Sequence, residues 1–362
     1  MKTRLLVPIA LALLASPAAA QIASNRAGAG VTFETYRFSD DDVIDIESLT
    51  LLSFPVGAAV ALSRRVELQV SGAWARGELS RPDGTGATIS GLTDTDVRLT
   101  ATLGRDVVTI SAIAQLPTGT SELTADEADA AGMFAADVLP FRITNWGSGG
   151  GIGVSTALAQ PVGEFALGLS LGYVVAREFE PVVDDFQYRP GNQLHVRAAI
   201  DRTFGTSGKG ALSVTYQRFG DDQADGENLF RTGDRIQGLA SWSFIAGGQG
   251  SGVVYAGYLH RSEGEYRAFD ELKPAQRLVF GGVGARLPMG TTVIQPLADL
   301  RLHGGDEGAG SGYTLGLGGS VEMPVGRAVL VPTLRGRFGN VELSSGLDSG
   351  FTGGEVGLTV RF

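Results

Sequence analysis

Ionisable residues two positions apart recur along this chain: Asp96 with Arg98, His195 with Arg197, Asp299 with Arg301, Arg335 with Arg337. In an extended segment such pairs share a face, because successive side chains point to opposite sides. By that parity one face carries Arg98, Arg197, Arg235, Arg286, Arg301, Arg335, Arg337 and Arg361, with His195 and His303. It also carries Glu34, Glu67, Asp96, Glu164, Asp201, Asp299, Glu322 and Glu355. Around an enclosed path, guanidiniums on one wall and carboxylates opposite would orient a polar solute and set ion preference. The same residues would equally serve as cross-strand ion pairs that stiffen a wall. Catalysis has less to work with. A Ser nucleophile needs a base and a third group to orient it, and the only histidines are His195, His260 and His303. None sits in a local motif with Ser, so no catalytic residue is assigned and an enzyme is not expected. With no Cys there is neither a disulfide nor a thiolate metal site. Asp40-Asp41-Asp42 and Asp221-Asp222 read as solvated loop charge, and neither a metal nor a cofactor is expected.

The 362 residues include 53 Gly and 14 Pro, and 39 acidic residues outweigh 29 basic ones for a net charge of −10. That balance excludes a general affinity for nucleic acid. Met1-Lys2-Thr3-Arg4 opens on positive charge, Leu5 to Leu14 is an apolar run, and Ala18-Ala19-Ala20 supplies small residues before Gln21. Residues 1–20 therefore read as a secretory signal peptide, too short to span a bilayer. Residues 21–362 read as one domain. Too few residues precede the first extended segment to build an N-terminal plug.

The mature chain alternates with period 2 in segments of roughly ten residues, the strand signature. Phe165, Leu167, Leu169, Leu171, Tyr173 and Val175 alternate with Glu164, Ala166, Gly168, Ser170 and Gly172. Val356, Leu358, Val360 and Phe362 alternate with Glu355, Gly357, Thr359 and Arg361. A soluble sandwich buries such apolar faces in one dry core, whereas a membrane barrel turns them to lipid. Periodicity alone does not separate the two. The leader, the Arg-bearing polar faces and the terminal Phe362 favour an all-β, transmembrane antiparallel up-and-down barrel. Seven short connections alternate with eight long ones, which gives about 16 strands with both ends periplasmic; 14 is the alternative. A lumen of that width is too large for wall side chains alone to fill.

The alternating C-terminal segment ending in Phe362 resembles the sorting signal of Gram-negative outer-membrane β-barrels. That resemblance implies recognition of Val356, Leu358, Val360 and Phe362 by the barrel-assembly machinery. It also implies residence in the cell outer membrane among its lipid and lipopolysaccharide. Gly91-Leu92-Thr93-Asp94-Thr95, Leu116-Pro117-Thr118-Gly119 and Gly147-Ser148-Gly149-Gly150-Gly151 resemble an outer-membrane family associated with the phenol meta-cleavage pathway. Its members are presumed channels for small organic molecules. The longest connection, Pro117 to Ser148, resembles in place and length the third external loop of trimeric porins, which folds inward and narrows the pore. Its Glu122, Asp126, Glu127 and Asp129 would then favour cations at a constriction. Alternatively the segment is a solvated surface loop or an exposed helix, since its Ala-rich acidic run suits helix. The porin resemblance also implies a homotrimer. The function expected is passive diffusion of small solutes. The alternatives are a non-conducting barrel that meets a partner through its loops and, more remotely, a barrel lipid hydrolase.

Overall fold

The computed structural model describes residues 25–40, 44–104, 107–135, 139–183, 186–205, 208–246, 250–267, 272–306, 310–342 and 347–362. The leader assigned to residues 1–20 lies outside the described residues, as do Asp41 and Asp42. Sixteen long strands form one closed antiparallel sheet. In chain order they are β1 (Arg26–Phe38), β2 (Ser48–Ser63), β3 (Val66–Ser80) and β4, which is broken at Thr93 and Asp94 into Gly86–Leu92 and Thr95–Leu103. There follow β5 (Val108–Leu116), β6 (Gly151–Val162), β7 (Phe165–Ala176), β8 (Gln193–Phe204), β9 (Gly208–Phe219) and β10 (Arg235–Ala246). The circuit is completed by β11 (Gly250–Arg261), β12 (Gln276–Met289), β13 (Thr292–Gly305), β14 (Ser311–Val325), β15 (Ala328–Glu342) and β16 (Asp348–Arg361). Closure is made by β1 against β16, in a register running from Gly28 opposite Arg361 to Phe38 opposite Phe351. A closed sheet has no edge, so its backbone amides and carbonyls are paired from strand to strand around the circuit.

The two-residue period places the apolar set outside. On β7, Phe165, Leu167, Leu169, Leu171, Tyr173 and Val175 are each 40–54% exposed and pack against no protein layer. Burying such residues is worth on the order of 2 kcal/mol each, and nothing else among the described residues of the chain covers them. Tight turns and longer loops segregate to opposite ends of the barrel, and the alternation supports sixteen strands rather than fourteen. Several tight turns end on a left-handed glycine, as at Gly163 (φ 61°) and Gly326 (φ 61°), a conformation that side chains with a Cβ resist. At the loop end three long connections add a five-stranded sheet of their own, made of Tyr188–Arg189, Asp221–Ala224, Glu227–Arg231, Gly264–Tyr266 and Leu272–Lys273.

The apolar core lies inside the barrel and on one side of it. Between β5 and β6 the chain forms a helix, α1 (Ala125–Ala135), started by a capping box in which the Glu127 carboxylate accepts from the Thr124 amide at 3.0 Å and its hydroxyl at 2.9 Å. Ala130 and Phe134 of α1, then Phe141 and Trp146, pack against Tyr36, Leu49, Leu51, Ile89 and Phe351 on the inner faces of β1, β2, β4 and β16. The rings meet edge to face: Phe134 with Phe141 at 4.8 Å, Phe134 with Trp146 at 5.5 Å, Tyr36 with Phe141 at 4.9 Å. Gly77 on β3 clears the space, since a Cβ there would fall 2.6 Å from the Phe134 ring. This one loop therefore occupies the lumen beside β1–β4, β15 and β16.

Candidate functional site: the lumen beside the inward-folded loop

The loop is pinned where β4 breaks. The buried Asp94 carboxylate accepts from the amide of Gly119 (3.1 Å) and from the amide and hydroxyl of Ser148 (2.8 and 2.7 Å). One side chain thus fastens both ends of a connection of some thirty residues. The Thr118 hydroxyl donates to the Thr93 carbonyl at 3.2 Å, and the Trp146 indole N–H donates to the Ala75 carbonyl at 3.2 Å. The three Gly/Thr-rich segments around residues 91–95, 116–119 and 147–151 therefore meet at a single knot.

Beyond the apolar core the loop presents Arg142. Its backbone amide donates to Glu34 (3.1 Å) and its guanidinium to Glu355 (Nε, 3.0 Å). Beneath it, Arg337 donates to Glu34 (3.2 Å), to the Tyr36 hydroxyl (2.6 Å) and to Glu355 (2.8 Å). Burial decides which sign faces water. The Glu34, Glu355 and Arg337 side chains are 0, 2 and 4% exposed, whereas that of Arg142 is 51% exposed. Charges this deep persist only when paired and hydrogen-bonded. The two carboxylates thus form a buried base, and a guanidinium forms the surface.

Two adjoining cavities of about 400 and 370 Å³ open beside Arg142 and share Leu297, Arg335 and Glu355. Their far wall is β10–β15. Arg335 is ion-paired with Asp299. Nearer the turn end, Glu322 accepts from Arg286 at 2.8 Å and from Arg361 at 2.5 Å. Arg301 stands opposite Phe280 across β12 and β13 and lines the second cavity. Arg98 on β4 and Arg197 on β8 are exposed, Arg197 reaching the Ser213 hydroxyl at 3.3 Å. Arg337 is the buried exception among the arginines assigned by parity.

The acids of the loop lie at its helix. Glu122 and Asp126 are exposed, Glu127 caps α1, and Asp129 pairs with Arg81, which also reaches Asp45 at 3.3 Å. The loop side chain that lines the cavities is Arg142, with Pro140 beside it. Alternation could not single it out, because it sits in an irregular stretch; its one signal is a lone arginine between Phe141 and Ile143. His195 is held between Gln193 (3.2 Å) and Gln217 (2.9 Å). On β16, Val356 and Leu358 face outward, Val360 shares their face by parity, and the amide of Phe362 donates to the Ala27 carbonyl at 2.8 Å.

A closed sixteen-stranded wall with one long loop folded into it settles the architecture. It is porin-like. No protein-family model matches the chain, and no curated protein matches it. Among solved structures it is similar to an outer membrane channel from Pseudomonas putida F1, at 10% identity over 93% of this chain and 95% of that one, with a TM-score of 0.39. An anion-selective porin from Comamonas acidovorans aligns at 11% identity over 94% and 99%, with a TM-score of 0.43. A porin variant from Rhodopseudomonas blastica aligns at 13% over 94% and 100%, with a TM-score of 0.39. At such distances the function of this porin-like barrel has to be read from its own lumen.

Proposed function

We propose that the protein is an outer-membrane channel through which small solutes diffuse passively, with a preference for anions. The observation that carries this reading is the exposed Arg142 guanidinium, seated on buried carboxylates and facing cavities between the pinned loop and the β10–β15 wall. Around those cavities and just beneath them, six guanidiniums (Arg142, Arg286, Arg301, Arg335, Arg337, Arg361) stand against four carboxylates (Glu34, Asp299, Glu322, Glu355). A narrow path with low-dielectric walls magnifies such an excess. The outward apolar belt supports residence in a bilayer. The terminal strand carrying Val356, Leu358, Val360 and Phe362 then acts as the segment the assembly machinery reads. Exchange with lipopolysaccharide at the loop end and trimer formation belong to the same reading. No chemical step is involved: the barrel replaces a hydrocarbon barrier with a polar path.

Refolded protein in a planar bilayer should give step-like currents, with a reversal potential in a salt gradient displaced toward the anion. Arg142→Glu should move that potential toward the cation. An unmoved potential would show that Arg142 does not face the conducting path. The second reading, a closed barrel whose five-stranded loop sheet serves as a binding platform, predicts no steps at all.

A further inference from the structure

The wall facing Arg142 is not uniformly polar. Two aromatic residues on its inner face, Tyr255 of β11 and Phe280 of β12, lie flat rather than projecting into the lumen. Each covers a glycine of the other's strand. A Cβ on Gly282 would fall 2.6 Å from the Tyr255 hydroxyl and 2.8 Å from its Cζ, and one on Gly257 would collide with the Phe280 ring. Gly257 stands opposite Phe280 and Gly282 opposite Tyr255 in the β11–β12 ladder, so the two rings are laid reciprocally across adjacent strands. The result is a smooth aromatic floor that any side chain larger than hydrogen at either glycine would tilt or lift. Leu297 continues it on β13.

Cations surround this floor. Arg301 stands directly opposite Phe280 in the β12–β13 ladder. Arg335, held by Asp299, lies over Gly316 on β14, and Arg142 with Pro140 closes the cavity from the loop side. Four guanidiniums line the 370 Å³ cavity against the carboxylates Asp299 and Glu355. Both carboxylates are already engaged, Asp299 with Arg335 and Glu355 with Arg142 and Arg337. A channel for inorganic anions needs the charge alone. The paired rings add nothing to the passage of chloride or phosphate, and they place apolar surface in a path that water must fill.

From this juxtaposition we infer that the cavity between Arg142 and the Tyr255–Phe280 floor is a binding subsite for small aromatic carboxylates. The ring of the solute lies on the two protein rings, and its carboxylate meets the guanidinium edge formed by Arg301 and Arg335. Stacked aromatic contacts add to what area burial supplies, and guanidinium forks match carboxylates in shape and charge. Weak binding of this kind concentrates the solute beside the inward-folded loop without trapping it. The inference deepens the channel reading and rests on it for its physiological sense, but binding itself requires only an accessible cavity.

The test measures binding and conduction separately on the full-length barrel. Equilibrium dialysis of refolded protein in detergent should show benzoate binding more tightly than cyclohexanecarboxylate, acetate or benzyl alcohol. These probes remove in turn the flat ring, the whole ring and the charge. Phe280→Ala should weaken benzoate roughly tenfold, the loss of about one aromatic contact, while acetate changes little. Phe280→Leu keeps apolar volume in case the smaller side chain disturbs the wall, and it should weaken benzoate severalfold. In planar bilayers benzoate should then interrupt the chloride current in a concentration-dependent way. Benzoate held no better than acetate or cyclohexanecarboxylate, or held equally by the Phe280→Leu barrel, would overturn the subsite. Binding without any current would retain the subsite and reject the channel.

Discussion

Arg337 shows how little freedom a lumen charge can have. Its guanidinium serves Glu34, Tyr36 and Glu355 at once, all of them buried. Removing it leaves two carboxylates in an apolar surround with Arg142 as their remaining counterion. Arg337→Ala should therefore cost about 3–5 kcal/mol of stability, the usual penalty for stranding buried charge. Urea-induced unfolding from lipid vesicles would measure it, and a loss below about 1 kcal/mol would mean that water screens the cluster. Arg142 is half exposed, and replacing it should change ion preference far more than stability. Parity alone put Arg337, Glu34 and Glu355 on the inner face. It could not show that Glu34 and Arg337, 303 positions apart, are hydrogen-bonded, because that contact arises through the β1–β16 seam. Nor could it separate a charge that holds the wall from one that faces the solute, since both alternate identically along a strand.

At the scale of elements, the inward loop depends on the break in β4. An uninterrupted strand would keep the Asp94 amide and carbonyl in the ladder; instead the break turns this residue into an anchor for both loop ends. Hydrogen bonds to a charged, buried acceptor are worth roughly 1.5–3 kcal/mol each. Asp94→Ala should release the loop while leaving the wall closed. Larger and noisier conductance steps are expected, with faster proteolysis between residues 117 and 150, and wild-type currents with unchanged cleavage would show that the Phe134–Trp146 packing holds the loop unaided. The helix within the loop is visible in its Ala-rich acidic run, and the structure adds the Thr124/Glu127 cap. Composition does not reveal which way the helix faces. Ala130 and Phe134 gain their burial from Phe141 and Trp146 of the same loop and from the wall beneath them, which come together only after closure.

Among the described residues the molecule is an inverted globule, with greasy residues outside and a dry core displaced to one side of the interior. In a bilayer that arrangement makes the two faces of a strand unequal. Leu169→Arg, in the middle of β7 on the outer face, should cost about 2–4 kcal/mol in vesicle folding equilibria. Ser170→Asn, its neighbour on the inner face, should be nearly neutral. Equal costs for the two would mean that both faces meet water.

Sequence alone determined the strand period, the alternation of short and long connections, a count of about sixteen strands with fourteen left open, and the face shared by the wall residues named from parity. These are local properties, set by side chains pointing alternately to opposite faces and by glycine at tight turns. Tertiary structure alone decided that Asp94 ties two distant loop ends, that Arg142 rather than the loop acids lines the cavity, and that Tyr255 and Phe280 lie flat on each other's glycines. Each of those depends on strand register and on closure of the sheet, which bring together residues that no periodicity relates.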